Sequence, residues 1–184
     1  MKKTIGIICI SILFVLAGLT SGFCAGNGYL GIQLGPEFLT SDDHGTIDDG
    51  IGVGIYGGYR FDKTVSVEAA LTTASHDVDY GGDLQITSLM IGPRVSGMIN
   101  KDVIVYGGAG FGFYDVDYEY YDHYHSHVHH DTETETGLYL GGGMEILLKN
   151  KFRCGLDVKY HAMFDDDELD SDLITLMFRV GLDL

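Results

Sequence analysis

The sequence predicts an all-β fold: an eight-stranded antiparallel up-and-down transmembrane β-barrel, preceded by a cleavable signal peptide. Three observations carry that prediction. The chain opens on an export-type leader. The remainder breaks into alternating apolar and polar runs of about ten residues, the length of a tilted membrane strand. The polar face of those runs is built from glycine and matched charges.

The leader begins with Lys2 and Lys3, continues through an apolar run at 5–19 (IGIICISILFVLAGL), and ends among the small residues Thr20, Ser21, Gly22 and Ala25. That order is positive start, apolar centre and small-residue cleavage site, and the apolar run is short for a retained anchor. Residues 1–25 are therefore expected to be removed, with cleavage after Gly22 or Ala25, leaving a mature domain at 26–184. Bulky Phe23 directly before Cys24 argues against lipid attachment there. No later stretch approaches the ~18 apolar residues that a membrane helix needs.

Eight runs with a period of two follow, and period two is the strand signature. Run 28–39 sets Leu30, Ile32 and Leu34 against Gly31, Gly35 and Glu37. Run 51–61 sets Ile51, Val53, Ile55, Tyr59 and Phe61 against Gly52, Gly54, Tyr56, Gly58 and Arg60. Run 65–75 opposes Val67 and Leu71 to Glu68, and run 84–98 opposes Leu89 and Ile91 to Gly92 and Arg94. Run 103–114 carries Gly108, Gly110 and Gly112 on one face. Run 137–147 divides Leu140 and Ile146 from Gly141, Gly143 and Glu145. Run 152–164 divides Leu156 and Val158 from Gly155, Asp157 and Lys159. Run 173–184 ends the series, with Ile174, Leu176, Phe178, Val180, Leu182 and Leu184 against Thr175, Met177, Arg179, Gly181 and Asp183.

The connections alternate in length. Those at 62–64, 99–102 and 148–151 are short, and those at 40–50, 76–83, 115–136 and 165–172 are longer and polar. Short periplasmic turns and long outward loops are the habit of outer-membrane barrels. Charge divides the same way: the long connections hold 20 acids and no Lys or Arg, while the short turns carry Lys63, Lys101, Lys149 and Lys151. The whole chain has 27 acids and 11 bases, for a net charge of −16. Loss of Lys2 and Lys3 takes it near −18, which excludes nucleic acid as a partner. Cys9, Cys24 and Cys154 offer no disulfide framework.

Eight alternating strands fit either a soluble cup with an apolar interior or a membrane barrel turned inside out. The polar face decides for the second. Glycine has no use on a solvent-facing strand surface, but inside a narrow barrel it makes room for the few large side chains that fill the lumen. On the same face Glu37, Glu68, Glu145, Asp157 and Asp183 meet Arg60, Arg94, Arg153, Lys159 and Arg179, five acids against five bases. Unpaired charge in a confined lumen is costly, so a network through Glu68, Arg94, Glu145, Asp157, Lys159 and Arg179 is expected. The apolar face then meets lipid, with Phe38, Tyr59, Phe61, Phe152 and Phe164 near the strand ends as interfacial aromatics.

Residues 88–96 (SLMIGPRVS), 106–114 (YGGAGFGFY) and 155–161 (GLDVKYH) resemble the Gram-negative outer membrane protein β-barrel family. Within it they are similar to the small eight-stranded class that includes OmpX-like, OmpW-like and opacity-type proteins and the OmpA membrane domain. The resemblance covers about residues 27–184. It implies the cell outer membrane as location, outer-membrane lipid and lipopolysaccharide as surroundings, and a monomer. Residues 178–184 (FRVGLDL) resemble the family's C-terminal signal for the barrel-assembly machinery, although Leu184 stands where the family prefers Phe. The motifs speak to fold and address and say little about activity.

The candidate chemistry lies in the third long connection, where residues 118–131 read YEYYDHYHSHVHHD. His123, His125, His127 and His129 alternate, and an extended backbone would set all four on one face. Such imidazoles can share Zn, Cu or Ni, with His130, Asp122, Asp131 and Glu119 at hand to complete the shell. A solvated tract that binds metal only incidentally is the competing reading. Nearby carboxylates also favour the imidazolium form, so the tract is a candidate for pH response. Asp42, Asp43, Asp48 and Asp49, with Asp165, Asp166, Asp167 and Glu168, are expected to gather Ca or Mg diffusely, without EF-hand spacing. His161 is placed like a catalytic base of a lipid-acting barrel, but residue 163 is Met163 rather than a nucleophilic Ser, so no enzyme is expected. The leading functional expectation is a non-enzymatic surface protein with a charge-plugged lumen and acidic extracellular loops. Metal binding at the His-rich tract and a narrow channel or lateral transporter for small molecules are the alternatives.

Overall fold

The computed structural model describes residues 27–40, 47–78, 82–122, 127–148, 151–164 and 172–184, with the side chains of all these except 119–122 and 127–131. The expected leader, Asp42, Asp43, His123, His125 and the acids between 165 and 170 lie outside the described residues. Eight strands form one closed antiparallel barrel: β1 (Gly28–Thr40), β2 (Gly50–Arg60), β3 (Val65–Val78), β4 (Gly82–Met98), β5 (Val103–Asp122), β6 (His127–Leu147), β7 (Phe152–Phe164) and β8 (Asp172–Asp183). Each strand pairs with its sequence neighbours, and β1 closes on β8 through pairs from Tyr29–Asp183 to Thr40–Asp172. Closure leaves no strand edge, so backbone polar groups pair along every strand, with breaks in the register at Pro36 and Pro93. Among the described residues no helix is long and apolar enough to cross a membrane.

The register fixes the tilt. Stepping across cross-strand partners from Leu30 leads through Gly57, Ala69, Ile91, Phe111, Leu138 and Ala162. One step past the last β7–β8 pair is Asp172, whose partner on β1 is Thr40, so the circuit returns 40 − 30 = 10 residues further on. Ten residues at ~3.3 Å against eight strand spacings of ~4.7 Å give a tilt of about 41°. Each residue then climbs ~2.5 Å along the barrel axis. The 11 residues of β2 rise ~27 Å, which matches an apolar band of ~25 Å.

Alternation puts the aliphatic stripe outward. Ile32 is 63 % exposed, Ile51 68 %, Phe111 65 % and Leu140 66 %, whereas Tyr56, Met177 and Arg179 on the opposite face are at most 1 % exposed. In a closed sheet the outward face is the one that contacts lipid. Tyr59 and Phe61 stack edge-to-face at 5.6 Å beside the turn end, and Phe152 and Phe164 stand exposed at the two ends of β7. This is the interfacial aromatic pattern.

The strands at the outer end depart from expectation. Residues 115–136 read as a long loop, but β5 runs on to Asp122 and β6 starts at His127. Residues 76–83 are likewise mostly strand, with β3 reaching Val78 and β4 starting at Gly82. A polar sequence above the lipid has no apolar stripe to show its period, so the strand continues unmarked. With 20 and 21 residues, β5 and β6 climb ~50 Å, which is ~20 Å above the rim at β1, β2, β7 and β8 and ~8 Å above the 17-residue β4. The outward face of the β5–β6 pair is knitted by Thr132 to Asp117 and by Thr134 to Asp115, at 2.5 and 3.3 Å.

Candidate functional site

The lumen is built in layers, and each layer follows from which residue types share the inward parity. Nearest the turns, Asp183 accepts from both Arg60 and Arg153. Above it, Arg94 makes a two-pronged contact with Glu145 at 2.8 and 3.2 Å and reaches Glu68 at 2.7 Å. Arg153 joins Glu145 at 2.9 Å. Arg179 is fully buried and donates to Glu68 at 2.9 Å, to Asp157 at 3.3 Å and to the Tyr106 hydroxyl at 2.8 Å. Lys159 pairs with Asp157, which also accepts from Tyr106 at 2.6 Å. The six residues Glu68, Arg94, Glu145, Asp157, Lys159 and Arg179 therefore stand together in one buried network.

Aromatic rings hold these charges in position. Arg94 lies over the Tyr106 ring at 3.5 Å and Arg179 over Tyr56 at 3.6 Å, close enough for cation–π attraction away from water. Glycine admits the rings. A Cβ on Gly110 would meet Tyr139 at 2.7 Å, and one on Gly181 would meet the Tyr56 hydroxyl at 2.5 Å. The sequence reading identified the glycines and the charges but overlooked the tyrosine layer of Tyr29, Tyr106, Tyr114 and Tyr139. Their even or odd parity, matching that of neighbouring inward residues, was the available signal.

Glu37 does not belong to this network. It sits near the outer end of β1, 2 % exposed, with its carboxylate 3.6 Å from His76 Nε2; the His76 Nδ1 faces the Asp48 carbonyl at 3.1 Å. Equal counting had placed Glu37 among the balancing acids because parity gives the face, while height along a tilted strand needs the register. Without Glu37, four carboxylates (Glu68, Glu145, Asp157, Asp183) face five cations (Arg60, Arg94, Arg153, Lys159, Arg179). Among the described side chains, Arg153 Nε and Arg179 Nε are buried with no hydrogen-bond partner.

Above the ions, His161 is buried between Tyr114, whose hydroxyl lies 2.9 Å from Nδ1, and Thr175, 3.3 Å from Nε2. Both ring nitrogens are engaged inside the lumen, so the ring does not face lipid as a lipid-acting base would. The outer mouth is then covered by an apolar cluster of Val78, Leu84, Ile86 and Tyr114, packed against Leu39, Ile47, Val116, Tyr118 and Met163. Ile47 reaches it through a bridge to Val78, and the Asp48 amide donates to the Asp77 carbonyl at 2.9 Å.

At the turn end, the Asp62 carboxylate accepts from the amides of Val65 and Thr64 at 2.8 and 2.7 Å. These amide contacts lower its pKa below the ordinary carboxylate value. Asn100 closes the next short turn in the same way, accepting from Asp102 and Val103 at 2.9 Å. The left-handed backbone of Lys151 (φ 69°) belongs to the third.

Of the candidate metal residues, Asp122, His127, His129, His130 and Asp131 lie on the β5–β6 hairpin. The register sets His127 opposite Asp122, His129 opposite Tyr120 and His130 opposite Glu119. Their side chains, with His123 and His125, lie outside the description.

Comparison with known proteins adds the following. The family model for the outer membrane protein beta-barrel domain matches residues 9–182. No curated protein matches the chain. Among solved structures, Neisserial surface protein A (NspA) is similar with a TM-score of 0.72 and 13% identity, over 88% of this chain and 100% of that one. Ail, the attachment invasion locus protein of Yersinia pestis, is similar with a TM-score of 0.62 and 17% identity, over 88% and 100%. OprG from Pseudomonas aeruginosa gives 0.58 and 14%, over 89% and 99%. At these identities the likeness is one of fold. Ail has also been solved in complex with the heparin analogue sucrose octasulfate.

Proposed function

The chain belongs to the outer membrane protein β-barrel family of Gram-negative bacteria, and from that premise we propose a non-enzymatic surface-interaction protein: a closed, non-conducting barrel that presents an acidic outer end. One observation carries this reading. In the sequence the four long connections between strands hold 20 acids with no Lys or Arg among them. Such a surface attracts cations and cation-bearing partners, and it meets lipopolysaccharide phosphates through bridging Ca or Mg rather than directly. The filled lumen supports the non-conducting part, because eight strands leave an interior just wide enough for side chains. Insertion as a monomer through the barrel-assembly machinery, reading residues 178–184, completes the proposal.

The contrast with Ail supplies the test. Sucrose octasulfate is a polyanion, and the outer end of this chain repels polyanions. Barrels in zwitterionic nanodiscs are titrated with sucrose octasulfate and with polylysine at low salt. The expected result is polylysine binding that weakens steeply with ionic strength, and no sucrose octasulfate binding in the presence of a chelator. Chelator-resistant binding of the polyanion would overturn the reading.

A second reading, metal capture, is favoured by the continuation of β5–β6 pairing through His127–His130. An ordered strand pair spaces imidazoles and carboxylates regularly, and such spacing suits a shared Zn, Cu or Ni ion better than a solvated loop does. Transport of small molecules is the remaining alternative. Discrete conductance steps in planar bilayers would favour it over the closed barrel.

A further inference from the structure

We propose that the turn end of the lumen is a periplasm-facing binding site for a small organic anion, one carboxylate or phosphate group carried on an apolar body. A cavity of about 450 Å³ opens there, within the usual ~300–1,000 Å³ of small-molecule sites. Arg60, Arg94 and Arg153 line it, with Asp183 as their nearest shared carboxylate. A single oxygen of Asp183 takes both Arg60 and Arg153. Arg153 and Arg94 then share Glu145 as well.

The ion-paired network holds five cations against four carboxylates, with the buried Glu37 and Glu135 lying beyond it toward the outer end, so one positive charge is left over within it. That excess belongs at the open end. Lys159 and Arg179 lie deep against Asp157 and Glu68, whereas the Arg60 side chain is 27 % exposed and its carboxylate is already shared. At the rim, Lys63 and Asp62 offset each other, and the Asp62 carboxylate is occupied by backbone amides. An incoming monoanion completes the count at five against five, and hydrogen bonds to a charged acceptor are stronger away from water. The same cavity is lined by Val65, Met98, Ile104 and Leu147. A bare oxyanion leaves these surfaces unused, and an apolar body beside the charged group covers them.

The test uses the intact barrel in zwitterionic nanodiscs, with benzoate, its neutral analogue benzamide, and inorganic phosphate as probes. Binding is read from the Nε–H NMR signals of the arginines. Benzoate is expected to shift Arg60 and Arg153 saturably, with benzamide and phosphate at least about tenfold weaker, the size of one lost charged hydrogen bond or of the apolar contact. Arg60→Gln lowers benzoate affinity about tenfold, and Asp183→Asn raises it severalfold by removing the competing carboxylate. Equal binding of benzamide, or shifts that never saturate, would overturn the anion site. Phosphate binding as tight as benzoate would overturn the apolar body. The comparison of probes needs no variant, so it decides even where a substitution hinders refolding.

Discussion

Glu145 shows how much one buried residue holds. It is 0 % exposed and is the shared acceptor of Arg94 and Arg153. Glu145→Ala leaves two guanidinium groups short of a partner in a confined lumen, and breaking a buried pair costs about 3–5 kcal/mol. The expected readout is a lowered midpoint in urea unfolding of the refolded barrel; a midpoint unchanged within error would mean that the network is not a source of stability. Gly110 is the steric counterpart. Gly110→Ala pushes against Tyr139 and the backbone of β4, with an expected loss of about 1–3 kcal/mol in the same assay. Both residues were legible in the sequence, because strand parity alone puts glycines and ions on the face opposite the aliphatics. What parity does not give is height. Glu37 shares the inward face with Glu145 yet meets His76 at the outer end, in keeping with its place three residues from the end of β1.

At the scale of elements, the strands that touch lipid were readable and those that leave it were not. β2 and β8 show an aliphatic or aromatic residue at every second position except Gly57, since outward residues in the lipid band must avoid charge. Beyond the band both faces can be polar, so the upper halves of β5 and β6 have the composition of a loop and the pairing of a sheet. Excising residues 119–130 and joining the strands by a short turn is therefore expected to leave the unfolding midpoint unchanged, because Tyr118 stays packed against the apolar cluster at the outer mouth. If the hairpin captures metal, the same excision abolishes Ni²⁺ binding by calorimetry. Retained stoichiometry would locate the metal elsewhere. The short turns make a different prediction. The Asp62 pKa is lowered in the folded state, so its contribution is present above the ordinary carboxylate range and is lost as pH falls through the folded value. Asp62→Asn keeps an acceptor for the Thr64 and Val65 amides and is expected to flatten that part of the acid-stability profile.

Across the whole molecule, charge is sorted by end. Lys63, Lys101 and Lys151 belong to the turns, where Lys101 pairs with Asp102, the buried ion pairs belong to the lumen, and the large acidic surplus of the sequence falls in the long connections. The fold needs the lipid to make sense of its surface. A sheet that points Ile32, Ile51, Phe111 and Leu140 outward is unstable in water, and a charged substitution at mid-height such as Leu140→Arg is expected to cost about 2–4 kcal/mol in the bilayer. Methyl groups report directly on this inside-out arrangement. In bilayers with protonated acyl chains, the methyls of Ile32, Ile51 and Leu140 are expected to show NMR cross-relaxation with lipid methylenes. Those of Leu84, Ile86 and Leu173, equally apolar but at most 3 % exposed, are expected to show none. Lipid contacts at Leu84, Ile86 and Leu173, with Ile32 and Leu140 silent, would contradict it.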